Sequence, residues 1–116
     1  MTKTVKKLDS QVIKALTIAC EAAKQQVKGF EWLTHTADYA NFPSSLVVRC
    51  VFDREANLVA AKQNSQDQLF AKLIHAELLR AGVLLKTPKR HVIFDTEEAC
   101  MRDHDGSWKQ RLKNVH

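Results

Sequence analysis

Two stretches of this chain end an apolar run in Phe-Asp and continue into glutamates: VFDREANL, Val51 to Leu58, and VIFDTEEAC, Val92 to Cys100. If the strands ending at Phe52 and Phe94 lie side by side, Asp53, Glu55, Asp95 and Glu97 converge. Carboxylates clustered at strand ends suit a magnesium-dependent hydrolase, because hard cations take oxygen ligands. Such a site also needs a lysine to steady the scissile phosphate, and no Asp-x-Lys or Glu-x-Lys follows either pair. Helix initiation is the competing explanation. An aspartate just ahead of a helix accepts orphan amide hydrogens. Asp95 and Glu98 have the separation of a capping pair, and Glu55 and Glu97 in first turns complement the helix dipole. Capping accounts for all four acids without a metal. No catalytic residue is therefore assigned, and the acid quartet stays as the alternative metal set.

The sulfur and imidazole groups give less. Cys100 and His104, four apart on an expected helix, can face one zinc ion, but neither His91 nor Glu97 closes the set at a telling spacing. As a nucleophile, Cys100 lacks a glycine-rich turn before it to hold an oxyanion. His35 and His75 have no serine or aspartate partner at informative spacing. Phosphate-loop, dinucleotide and HExxH patterns are absent from the sequence. No cofactor is expected.

Positive charge offers a further clue, although solubility alone explains it just as well. The chain carries a net charge of +5, and its excess is clustered. Lys86, Lys89 and Arg90 surround Pro88, while Lys109, Arg111 and Lys113 lie near the end. If they converge, they can neutralise phosphates. Trp32, Tyr39, Phe42 and Arg49, on or near one hairpin, offer the aromatic and basic mixture of single-strand binders. Core packing is the better account of Trp32 and Phe42. The leading expectation is a non-enzymatic binding protein with RNA or DNA as partner. The alternative is a protein–protein interaction module, self-associating through the first helix or a sheet edge. A metal-dependent hydrolase comes third.

The elements that must position these groups follow from periodicity. At 116 residues the chain is expected to be one domain, burying roughly two-thirds of its unfolded surface, with 1–7 and 113–116 disordered. Its three cysteines are odd in number and far apart, which fits reduced thiols in a cytoplasmic protein. LTIAC, Leu16 to Cys20, follows a charged stretch and so is not a lipoprotein signal. No run reaches the roughly 18–20 apolar residues of a membrane span.

Leu8, Val12, Ala15, Leu16, Ala19, Ala23 and Val27 predict a helix over 8–27 that stops at Gly29. Phe30 to Asp38 alternates as a strand, with Phe30, Trp32, Thr34 and Thr36 on one face. Leu46 to Phe52 predicts a second strand, with Arg49 opposite Val48 and Cys50, and the two form an antiparallel hairpin. Helices are expected at 54–62 and 66–81, the latter with a Ser65–Gln68 capping box. Val83 to Leu85 and His91 to Phe94, around KTPKR, suggest a second hairpin. A helix over 96–104 and a final turn follow. The expected fold is α+β in the order α-β-β-α-β-β-α, an antiparallel sheet with helices packed on one face.

FEWLTH (Phe30–His35), FPSSL (Phe42–Leu46), VRCVFD (Val48–Asp53), FDTEEAC (Phe94–Cys100) and HDGSWKQRL (His104–Leu112) together resemble a group of small bacterial proteins labelled as Fis-family transcriptional regulators. The resemblance spans nearly the whole chain and implies DNA binding and transcriptional regulation. Fis-type proteins carry a C-terminal helix-turn-helix, whereas this sequence ends in DGSWKQRLKNVH. No functional residue is carried over.

Overall fold

The apolar stripe near the N-terminus makes one long helix. In the computed structural model, which describes residues 3–113, α1 runs Lys3–Gln26 and buries Val12, Ala15, Leu16, Ala19 and Ala23. Of the disorder expected over 1–7 and 113–116, part lies outside the described residues. Lys3 to Lys7 are helical, and Lys113 ends the last helix. Gly29, at φ +86°, makes the left-handed turn that a side chain would resist. It leads into β1, Phe30–Thr36.

β1 pairs antiparallel with β2, Val47–Phe52, as the hairpin predicted, but a bulge between Phe30 and Trp32 shifts the register. The extra residue, Glu31, reverses the side-chain phase. Phe30 therefore enters the core while Trp32 faces the opposite side of the sheet. The sequence placed both on one face; the bulge separates them.

After β2 the chain forms α2, Glu55–Gln63, and α3, Gln66–Arg80. Ser65 lies between them at φ +59° and makes no side-chain cap bond. The expected capping box does not form; the Gln68 amide donates to the Ser65 carbonyl at 3.3 Å instead of to its hydroxyl. The segment Val83 to Leu85 buries its two valine and leucine ends, Val83 and Leu85, without pairing as a strand. KTPKR is not a hairpin loop either. Pro88 opens a 3-10 turn, Pro88–His91, which feeds β3, Val92–Thr96.

β3 pairs parallel to β2, giving a three-stranded mixed sheet in the order β1-β2-β3. The antiparallel expectation is thus corrected: the sheet is mixed. Two parallel neighbours need a long crossover, and α2 with α3 supplies it. The chain ends in α4, Glu97–His104, and α5, Trp108–Lys113.

Helices cover both faces rather than one. Val48, Cys50 and Phe52 point toward α1 and α3, where Phe30, Phe52 and Phe70 meet at ring distances of 4.8 to 5.9 Å. Each such phenylalanine contributes about 1.5–3 kcal/mol by burial. The opposite residues of the strands, Trp32, Arg49 and Asp95, meet α4 and α5. The result is a single α+β domain. Among the described residues, no helix is long and apolar enough to cross a membrane.

Candidate functional site

The four acids are brought near the ends of β2 and β3, then divided among separate donors. Asp53 Oδ1 accepts from the Arg54 amide at 2.6 Å and from Asn57 Nδ2 at 2.8 Å. The Asn57 hydrogen bond is the main reason its carboxyl lies below the usual value. It does not cap α2 through the expected amides. Glu98 does so from α4: its Oε1 accepts from the Glu55 amide at 2.9 Å, and its own amide donates to the Asp53 carbonyl at 3.0 Å. Glu55 in turn accepts from Arg102 Nη1 at 2.8 Å. The helix starts of α2 and α4 are stapled to each other.

Asp95 is not a cap at all. Thr96 fills that role, its Oγ1 accepting from the Ala99 amide at 3.0 Å. Asp95 Oδ2 accepts from Arg49 Nη1 at 2.8 Å and from Arg111 Nε at 2.7 Å. Its Oδ1 accepts from Arg111 Nη2 and from the Thr96 amide, both at 2.8 Å. A carboxylate offers about four lone-pair positions, and each has a donor here. Burial opposes ionisation of this acid; the Arg111 hydrogen bonds, the Thr96 amide and the two guanidinium charges outweigh it and hold its pKa below the ordinary value.

Glu97 bridges the two tryptophans. Its Oε1 accepts from Trp32 Nε1 at 2.6 Å and its Oε2 from Trp108 Nε1 at 2.9 Å, with the indoles edge-to-face at 4.8 Å. Among the described residues, no group of three or more His, Cys, Asp or Glu side chains is arranged to hold a metal ion.

Cys100 is fully buried, and burial raises its thiol pKa. His104 Nδ1 sits 3.3 Å from Arg111 Nη1 rather than joining Cys100 at a shared ligand position. His91 is buried with Nδ1 2.7 Å from the Leu46 carbonyl. Tyr39 donates to Asp9 and stacks near Phe42 at 5.1 Å, so the first-hairpin aromatics do not form one open platform with Trp32.

Of the six basic residues, one is committed inside the fold and five are exposed. Arg111 is spent inside the fold, its side chain 14 % exposed and doubly bonded to Asp95. It cannot serve as the phosphate contact that its sequence position suggested. Lys109 and Lys113 are exposed on α5. Lys86, Lys89 and Arg90 are exposed around the 3-10 turn that enters β3.

That turn gathers further cations that sequence spacing did not reveal. Lys89 lines one groove with Lys62 of α2, Asp67 and Gln68 of α3, and Phe94. It also lines an adjoining groove with Lys72, His75 and Pro88. Lys86 and Arg90 line a third, on the side toward Pro43 and Leu84. Lys62 Nζ stands 5.8 Å from the centre of the half-buried Phe94 ring. His75 Nε2 is buried without a hydrogen-bond partner. Asp67 is the one carboxylate lining these three grooves. Lys62 and Lys72 come from two helices far from the KTPKR stretch in sequence, so only the crossover could unite them.

No family model, curated protein or solved structure matches this chain.

Proposed function

We propose that the protein acts by binding, and that its partner is nucleic acid held through phosphates at the 3-10 turn before β3. One observation carries this reading. Lys62, Lys72, Lys86, Lys89 and Arg90 surround a single turn, and none of the five is in an ion pair among the described residues. By contrast, Arg49, Arg80, Arg102 and Arg111 are all committed to acids. A protein with no use for free cations gains nothing by concentrating them, since like charges repel. Phosphates remove that repulsion and release counterions. The resemblance to Fis-labelled proteins implies the same class of partner.

Phe94 at the mouth of one groove adds a ring face next to Lys62. A base splayed from a single strand can stack on such a ring while its phosphate meets the lysine. Fluorescence anisotropy with labelled single-stranded RNA, single-stranded DNA and duplex DNA at low salt tests the reading. Binding by at least one probe, weakened by Lys62→Glu with Lys89→Glu, is the expected result. Absence of binding to all three probes rejects it.

A further inference from the structure

The other face of the sheet holds an arginine whose hydrogen bonding is unfinished. Arg49 sits on β2 with Thr34 directly across from it on β1 and Ile93 beside it on β3. It is 8 % exposed. Its Nη1 donates to Asp95 Oδ2 at 2.8 Å, and this is its one side-chain hydrogen bond among the described residues. Arginine carries five N–H donors in a rigid plane. The edge formed by Nε and Nη2, whose hydrogens point the same way, has no protein acceptor.

That edge is not sealed in. Among the described residues, His75 Nε2 is the one fully buried side-chain polar atom without a partner. The Arg49 fork must therefore reach open space, and a groove of about 430 Å³ provides it, with Arg49, the polar Thr34, His35, Thr36 and Ser45, and the aliphatic Val47, Ile93 and Leu112 in its lining. This size falls in the roughly 300–1,000 Å³ range of small-molecule sites.

Charge points to what the groove accepts. Arg49 and Arg111 share one buried acid, Asp95, and Arg111 holds it through two bonds. Asp103, the second acid near Arg111 at 3.3 Å, has a side chain 45 % exposed and lies in water. Arg111 thus has a second acid beside it, whereas Arg49 shares Asp95 with Arg111 and has no acid of its own. A buried charge is costly unless paired.

We infer that this groove is a binding site for a small monocarboxylate. Its carboxylate takes the Arg49 Nε–Nη2 fork bidentately, and its apolar body lies over Val47, Ile93 and Leu112. A planar anion of single charge matches both the fork and the unbalanced charge. A phosphate dianion carries more charge than the one open fork balances. The site lies on the sheet face opposite Phe94, away from the groove of Lys62 and Lys89, so it is tested separately from nucleic-acid binding.

Titration calorimetry with hexanoate and benzoate, set against hexanol and inorganic phosphate, tests the site on the full chain. Saturable binding of a carboxylate is expected, with hexanol and phosphate weaker by at least about tenfold, as losing a charged hydrogen-bond pair requires. Arg49→Met should abolish carboxylate binding while keeping the fold, because Asp95 retains Arg111. Thr34→Glu supplies the missing carboxylate from across the strand pair, and should raise Tm and block hexanoate. The proposal fails if neither carboxylate binds the wild type, if phosphate binds as tightly, or if Arg49→Met binds undiminished. Should Arg49→Met not fold, Thr34→Glu decides: hexanoate binding unchanged from wild type overturns the site.

Discussion

Arg111 closes on Asp95 through two parallel hydrogen bonds, Nε to Oδ2 at 2.7 Å and Nη2 to Oδ1 at 2.8 Å. This pair fastens the last helix to an edge strand of the sheet. Because Arg49 shares the same carboxylate, a single side chain holds β2, β3 and α5 together.

Asp95→Asn therefore leaves the buried Arg49 and the half-buried Arg111 guanidinium facing a neutral amide. Removing one partner of a buried ion pair costs about 3–5 kcal/mol. Thermal unfolding should show a fall in Tm of more than about 10 °C. An unchanged Tm would mean that the triad is not holding α5 down.

Acid should reproduce the same loss. The Asp95 carboxyl is held below its ordinary value of 3.8 when folded. A group with a depressed folded pKa stabilises the fold fully above its unfolded value and loses that contribution as pH falls through the folded one. Stability should stay level near neutrality and decline below about pH 4. In Asp95→Asn the decline should be shallower, measured by denaturant midpoints across pH.

The two indoles offer a local probe. Trp32 and Trp108 are the only tryptophans in the chain, and both donate to Glu97. Glu97→Gln turns an amide donor toward one indole N–H, which should cost about 1–3 kcal/mol. The emission should shift to the red as α5 loosens. Emission unchanged from wild type would show that Glu97 does not position that helix.

Much of this arrangement was legible in the sequence, and the failures have physical causes. Valine-rich alternation placed Val48, Cys50 and Phe52 on one face and Arg49 on the other, as the structure has them. The same rule misplaced Trp32, because a bulge at Glu31 leaves no mark in a period-two pattern. Val83 and Leu85 are buried as their pattern implied, yet apolar alternation reports burial and not backbone pairing. Their segment read as a strand and produced a false hairpin. Asp95 looked like a cap from its position before a helix, but its arginine partners are 46 and 16 residues away. Long-range pairing of that kind has no local signature. Lys62 and Lys72 were silent for the same reason.

Gly29→Ala tests the turn that sets Asp53 in place. Besides its φ of +86°, an added Cβ would lie 2.7 Å from Asn57 Cβ and 2.8 Å from Asp53 Oδ1. Left-handed strain alone costs about 1–3 kcal/mol, and the overlap adds to it. Chemical denaturation should show a loss at least of that size; wild-type stability would contradict the close approach.

The most direct test of the binding account is the salt dependence of nucleic-acid affinity. Each phosphate contact contributes a slope of roughly 0.7 for single strands in log K against log salt concentration. Wild type should show a steep slope. Replacing Lys62, Lys89 and Arg90 by glutamine should flatten it by about two units on that scale, while glutamine at Lys14 and Lys24, exposed on α1, should leave it unchanged. Equal slopes for the wild type and the triple variant would contradict the account.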